Sequence, residues 1–341
     1  MTRVTVLLLF GGESSEHDVS IMSARNVYAA MDGEKYDTKL CYIDRGGKWW
    51  LLDEWVDNVS RHGGVQLLAA PGTGSFMTIP GNGVVCPDVI LPVLHGRHGE
   101  DGTVQGLAEL VHVPIVGCDV TASAVCMDKA LCKQILVANN IKTAKFLIYR
   151  KGNLLPDYAD VVAAFGPSVF VKPSRAGSSM GVSKVRTEQE YKKAVSTALE
   201  HDDTILIEEA IDGRELETAV LGSPPKHKVS GVGEIITGAE FYDFDDKYAE
   251  DSSAQVLTNV DLPESVESTI RETSSKVYEL LGCKGLARVD YLLKGTTPYV
   301  LEINTLPGFT NISMYPKLWR AAGVHYPVLI DTLITNALQY K

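Results

Sequence analysis

Ala287-Arg288-Val289-Asp290-Tyr291-Leu292-Leu293, then Lys294-Gly295-Thr296-Thr297-Pro298, then Tyr299-Val300-Leu301-Glu302-Ile303-Asn304 reads as strand, turn, strand. Side chains alternate along a strand, so Arg288 and Asp290 share one face of the first strand. By the same rule Glu302 and Asn304 share one face of the second, with Leu301 and Ile303 turned away. If Leu293 pairs with Tyr299, Asp290 lies opposite Glu302 and Arg288 opposite Asn304. Two carboxylates and an amide oxygen then converge, a set of hard donors that suits Mg²⁺ and leaves positions for phosphate and water. Two ions bridging a polyphosphate would offset the repulsion between these carboxylates and an incoming polyanion. The competing reading is a solvated acidic strand face with an Arg–Asp pair.

The segment that follows, Thr305-Leu306-Pro307-Gly308-Phe309-Thr310-Asn311-Ile312-Ser313, is turn-forming and rich in backbone N–H groups and small hydroxyls. Beside a metal site it is suited to gripping a carboxylate or a developing oxyanion. Further upstream, Phe170-Val171-Lys172-Pro173-Ser174-Arg175-Ala176-Gly177-Ser178-Ser179-Met180-Gly181 lies between two expected strands. It reads as a flap that can fold over a triphosphate, with a lysine at its root. Lys129 at a helix boundary and Glu208-Glu209-Ala210-Ile211 at a strand end complete the pieces of a nucleotide site. There is no Gly-x-x-x-x-Gly-Lys-Ser/Thr loop and no strand–Gly-x-Gly-x-x-Gly–helix unit, which disfavours P-loop and dinucleotide-binding folds.

Val4–Phe10 is an almost continuous apolar run ending in Gly11-Gly12, and a helical pattern follows through Val19, Met22, Val27 and Ala30. That is the opening of an α/β unit. Val89–Leu94 and Pro114–Val116 read as further buried strands around a helix at Val104–Val111, so a small, mostly parallel sheet is expected. Beyond Thr121 the texture becomes α+β and antiparallel. Thr187-x-x-Glu190 opens a helix as a capping box, and Pro263 starts another that Gly282 ends. The boundaries read as 1–125 for an N-terminal α/β domain, 126–220 for a central lobe with the flap, and 221–341 for a C-terminal lobe.

With 341 residues, 45% hydrophobic and 22% charged, the chain has the composition of a folded multi-lobed protein. A net charge of −11 disfavours nucleic acid or a membrane surface as main partner. Six cysteines without paired metal spacing, and no spanning or leader-like segment, lead us to expect a cytoplasmic protein with reduced thiols.

In chain order these pieces resemble the ATP-grasp fold, here a three-lobed one with an N-terminal parallel α/β domain. More closely, the chain resembles the D-alanine–D-alanine ligases. The motifs that carry the resemblance are Gly11-Gly12-Glu13-Ser14-Ser15-Glu16-His17-Asp18-Val19-Ser20, His95 through Gly106, the Lys172 flap, Tyr242-Asp243-Phe244-Asp245-Asp246-Lys247-Tyr248, and Arg288 through Ser313. The resemblance implies an ATP- and Mg²⁺-dependent ligase (Mn²⁺ also fitting) that makes D-alanyl-D-alanine through an acyl phosphate, for peptidoglycan precursor synthesis. It assigns Arg288 and the Gly308 N–H to the oxyanion, and Glu16, with His95 nearby, to the first D-alanine. Glu16, Ser178 and Tyr248 would link the three lobes over the substrates. Ser313 would bind the second carboxylate, with Met314 in that pocket. Lys129, Lys172, Ser179, Glu208, Glu209, Ala210, Ile211, Glu215, Phe241 and Lys247 would surround ATP, and Asp290, Glu302 and Asn304 the metal ions. Ala210 departs from members that carry an aromatic there. A homodimer is a further family expectation. The intact Lys247-Tyr248 pair favours an amine nucleophile over D-lactate. A D-alanine–D-serine ligase, another carboxylate–amine ligase of this fold, and a non-catalytic binding protein are the alternatives.

Overall fold

The computed structural model describes residues 3–56, 58–59, 63–236, 255–310 and 312–339. Strand β1 (Val4–Gly11) is buried from Val6 onward, as its unbroken apolar run requires. It pairs in parallel with β2 (Tyr36–Ile43) on one side and β7 (Val89–Val93) on the other. Gly11 ends β1 at a φ of +91°, and a Cβ there would meet the Ile43 carbonyl oxygen at 2.2 Å, so only glycine serves. The chain then reverses into α1 (His17–Ala30), whose Ser20 hydroxyl accepts the Gly11 N–H at 2.8 Å. This bond fixes the start of α1 over the end of β1.

The parallel unit read from the sequence is present, and β3 (Trp49–Leu52), β4 (Val65–Ala70), β5 (Ser75–Ile79) and β6 (Val84–Val85) extend it. All four join antiparallel, giving a seven-stranded sheet ordered β6-β5-β4-β3-β2-β1-β7. Parallel pairs are therefore a minority in it. These strands are short and buried on one side only, a weaker signal than β1 provides. Of Pro114–Val116, only Ile115 bridges, to Ile90.

Helices α2 (Thr103–Val111), α3 (Val120–Met127) and α4 (Lys129–Ala138) lead to a four-stranded antiparallel sheet, β10-β9-β11-β8. Its strands are β8 (Phe146–Arg150), β9 (Val169–Pro173), β10 (Ser183–Val185) and β11 (Thr204–Glu209). Helices α5 (Tyr158–Phe165) and α6 (Glu188–Leu199) cover it through Val161, Tyr191, Val195 and Ala198. The Thr187 hydroxyl caps α6 at the Glu190 N–H, while the Glu190 carboxylate reaches back to the Arg186 N–H at 2.7 Å.

The third sheet runs β14-β13-β12-β15-β16, built from β12 (Arg214–Leu221), β13 (Lys228–Ile236), β14 (Gln255–Leu257), β15 (Leu286–Lys294) and β16 (Thr297–Asn304). Strand β12, read above with the central lobe, belongs here because it pairs with β15 along its whole length. The change of sheet falls in the turn 210–213, not near residue 220. Helix α7 (Glu264–Leu280) begins after Pro263 and ends before Gly282, at φ +71°, as its punctuation indicates. Cysteines and aliphatics of α3 and α4 share the α7 core against this third sheet. Helices α8 (Met314–Ala321) and α9 (Tyr326–Gln339) return to the N-terminal unit, where Tyr315, Trp319, Leu329 and Leu333 join the core of Val6, Leu8 and Val27. Among the described residues no helix is long and apolar enough to cross a membrane.

Candidate functional site

The hairpin β15–β16 sets the first part of the site. Leu293 pairs with Pro298 rather than Tyr299, and a bulge with Leu301 as the extra residue then restores the expected register. Asp290 therefore lies opposite Glu302, and Arg288 opposite Asn304. Arg288 donates from Nε and a terminal nitrogen to the two Asp290 oxygens at 2.7 and 2.8 Å, and its Nε stands 3.0 Å from Glu217 of β12. Burial opposes its charge, but Asp290 and Glu217 outweigh burial and hold the guanidinium well above its ordinary value. Asn304 donates its Nδ2 to Asp290 at 2.8 Å, so its carbonyl oxygen is the atom that would serve as a metal donor. Two carboxylates and one carboxamide are a donor set that fits Mg²⁺ and would leave its remaining positions to phosphate and water.

Lys129 opens α4, where the Asp128 carboxylate accepts the N–H groups of Ala130 and Leu131. Its ammonium lies 3.2 Å from Glu302 and donates to the Ala176 carbonyl of the flap at 2.9 Å. The flap root is tied to the same helix start: Ser174 donates to Asp128 at 2.6 Å and accepts from the Ala130 N–H at 3.0 Å. Lys172 on β9 pairs with Glu208 on β11 at 2.7 Å. At the flap tip Ser178 and Ser179 both have left-handed φ, +48° and +58°, and the Met180 N–H donates to the Gly177 carbonyl. This is a tight turn that only strongly bracketed residues adopt.

Arg175 braces the flap from outside. Its guanidinium donates twice to Asp202, at 3.0 and 2.7 Å, and its backbone N–H once at 2.8 Å. Burial raises the Asp202 carboxyl, but Arg175 and the Thr204 N–H overcome it and hold the group below its usual 3.8. A depressed carboxyl adds stability above its unfolded value and loses it as pH falls through the folded one. Asp202→Asn is expected to lower unfolding stability by about 1–3 kcal/mol at pH 7. In melts at falling pH the gap between the two proteins should begin to narrow near 3.8 and close only below the lower folded-state value.

The substrate end gathers from three lobes. Glu16 precedes α1 and is buried, and Cβ atoms at Gly96 and Gly177 would stand 3.0 and 3.1 Å from its carboxylate. Glycine at both positions lets the carboxylate sit between the His95–Gly96 turn and the flap. Ser14 fastens that turn by donating to the His95 carbonyl at 2.7 Å. His95 donates Nδ1–H to the Leu306 carbonyl at 3.2 Å and accepts from Ser23 at 3.4 Å. Burial holds its pKa below the ordinary histidine value despite the nearby Glu16, so the ring is neutral. His95 thus braces the 305–309 loop. Gly308 leaves room for the Ser313 hydroxyl, which lies 3.0 Å from where a Cβ would be and accepts the Thr310 N–H at 3.1 Å. Ser313 stands at the start of α8, and the Met314 sulfur packs against Gly233 in the core.

Most expected site residues are thus brought together. Glu209 accepts the Lys145 N–H at 2.8 Å, Ala210 donates its N–H to the Ser168 carbonyl, Ile211 follows on the turn, and Glu215 lies within β12 opposite Ile235 and Leu292. Glu208 has a lysine at each oxygen, Lys133 at 3.1 Å and Lys172 at 2.7 Å, and is their counter-ion. Phe241, Lys247 and Tyr248 lie outside the described residues. Glu217, Lys133 and Glu100 were not read as site residues. Glu217 is reached only through the β12–β15 register. Glu100, whose carboxyl is pushed well up by burial and next by Glu16, lay within a quoted motif without a chemical signal of its own.

Family models described as "D-ala D-ala ligase N-terminus" and "D-ala D-ala ligase C-terminus" match residues 5–118 and 135–335. The chain is 42% identical to D-alanine–D-alanine ligase A of Salmonella typhimurium, over 99% of this chain and 97% of that one. Among solved structures, the D-alanine–D-alanine ligase of Coxiella burnetii superposes with a TM-score of 0.89 at 35% identity, covering 99% of this chain and 95% of that one. The VanG D-Ala:D-Ser ligase of Enterococcus faecalis does so at 0.87 and 32%, covering 98% and 100%.

Proposed function

Because the chain belongs to the D-alanine–D-alanine ligase family, we propose that its three lobes divide the joining of two D-alanines among the residues described above. The reaction is ATP-dependent and yields D-alanyl-D-alanine, a peptidoglycan precursor. The observation that supports the assignment is the Arg288–Asp290–Asn304–Glu302 set paired across the β15–β16 hairpin, four residues ahead of Gly308 in the chain. In this reading phosphate-binding and acyl-transfer groups are neighbours.

The Glu16 carboxylate holds the ammonium of the first D-alanine, and His95 keeps the 305–309 loop at the right height. The carboxylate of this first D-alanine attacks the γ-phosphate of ATP, giving an acyl phosphate and ADP. The amine of the second D-alanine adds to the acyl carbon, with its carboxylate on Ser313 and the N-terminus of α8. Arg288 and the Gly308 N–H stabilise the tetrahedral oxyanion, and phosphate departs. Lys129 and Lys172, with Lys247, offset phosphate charge as point cations. The flap serines Ser178 and Ser179 offer donors to the phosphates. Glu208 to Ile211, Glu215 and Phe241 enclose the nucleoside. Asp290, Glu302 and Asn304 would hold two Mg²⁺ ions, which supply charge neutralisation of the transferring phosphoryl group. Tyr248 completes the Glu16–Ser178 link across the lobes, and the working unit is a homodimer.

Phosphate release from Mg²⁺-ATP with D-alanine, L-alanine, D-lactate or D-serine tests the reading. Turnover is expected with D-alanine alone as sole amino acid. Phosphate release only on adding D-serine would shift the second subsite to serine, and none with any D-amino acid would sink the ligase assignment. Glu16→Gln is expected to raise KM for D-alanine about tenfold or more with KM for ATP nearly unchanged, since it removes one charge-assisted contact.

A further inference from the structure

Lys133 lies four residues beyond Lys129 on α4, and its side chain is 1% exposed. A buried ammonium is costly unless it is paired and hydrogen-bonded. Here the Nζ lies 3.1 Å from one Glu208 oxygen, donates to the Thr143 hydroxyl at 2.6 Å, and stands 5.9 Å from the centre of the Phe146 ring. The other Glu208 oxygen is 2.7 Å from Lys172. One enclosed carboxylate is therefore shared by two lysines, leaving the trio with an excess positive charge. Thr143 donates in turn to the Val300 carbonyl at 2.8 Å, two residues before Glu302.

We propose that Lys133 is a positioning residue for the ligase reaction: it is the resident counter-ion of Glu208, and this frees Lys172 to serve the phosphates of ATP. The proposal rests on the assignment of Lys172 to ATP made above. Were Lys172 the sole partner of Glu208, drawing it toward phosphate would strand a buried carboxylate, and ATP binding would have to offset that penalty. Lys133 cannot itself follow the nucleotide, because Thr143, Phe146 and Glu208 enclose it. It stays behind and keeps Glu208 neutralised. Burial lowers the Lys133 pKa, Glu208 opposes that effect and the neighbouring Lys172 adds to it.

The test is a double-mutant comparison of full-length protein, with Kd for Mg²⁺-ATP measured calorimetrically without D-alanine. Lys133→Met is expected to weaken ATP binding about tenfold or more, with KM for D-alanine within about twofold. Lys133→Met combined with Glu208→Gln should bind ATP no worse than Glu208→Gln alone, because no carboxylate remains to claim Lys172. If the methionine again costs its full factor beside Glu208→Gln, or if KM for D-alanine rises as much as Kd for ATP, Lys133 is only a packing residue and the proposal fails. Should Lys133→Met not fold, the comparison of the double variant with Glu208→Gln decides alone, and a double variant that cannot bind ATP overturns the idea. Lys172→Met is the control. Undiminished ATP affinity in it would overturn the placement of Lys172 instead.

Discussion

Lysine in place of Arg288 is expected to lower kcat by about 10²–10³-fold while KM for ATP changes less than about threefold. The guanidinium has five donors in a rigid fork, and two of them are spent on Asp290. The remaining N–H groups are those the proposed mechanism offers to the acyl oxygen, where negative charge develops only in the transition state. An ammonium keeps the charge but cannot hold Asp290 on two oxygens and still present a fixed donor to the oxyanion. Alanine is the poorer probe. It would leave Asp290 and Glu217 buried without their cation, a loss of about 3–5 kcal/mol that mixes instability with catalysis. Steady-state kinetics at saturating D-alanine, beside a thermal melt, separates the two. A rise in KM for ATP equal to the fall in kcat would place Arg288 on phosphate.

Asp290→Asn and Glu302→Gln are each expected to cost about 10³-fold in kcat/KM at millimolar Mg²⁺, the equivalent of several kcal/mol of charge stabilisation. Each removes a hard anionic donor while preserving shape. Their side effects should differ. Asp290→Asn also deprives Arg288 of its bidentate partner, so it should lower the melting temperature. Glu302 is less enclosed and pairs with Lys129, so its amide should melt nearly as the parent does. Removing divalent metal with EDTA should abolish turnover in the parent, and either Mg²⁺ or Mn²⁺ should restore it. Activity that persists in EDTA would refute the metal assignment for all three residues.

The hairpin illustrates what was legible. Period-2 alternation put Arg288 with Asp290 and Glu302 with Asn304, and the cross-strand pairs followed. Yet the starting pair Leu293–Tyr299 is one residue out, and the Leu301 bulge compensates. A bulge has no side-chain signature there, because Leu301 reads like any apolar strand residue. The long apolar run of β1 and the caps of α6 and α7 were equally plain, since both signals are local. Strands β3 to β6 were passed over, and β12 was placed with the wrong sheet, because neither pairing partner nor sheet membership is written in a strand's own residues.

Local chemistry thus determined the choice of candidate metal donors, the flap with its lysine and serines, the glycine-rich turns and the order of motifs along the chain. Tertiary structure decided which charges meet. Glu217 comes to Arg288 only because β12 pairs with β15, and Lys133 comes to Glu208 only because α4 packs over β11. Glu16 reaches the flap because glycines at 96 and 177 leave it the space. Such contacts join residues tens to more than a hundred and fifty positions apart, and it is the packing of sheets and helices, rather than any local preference, that selects them.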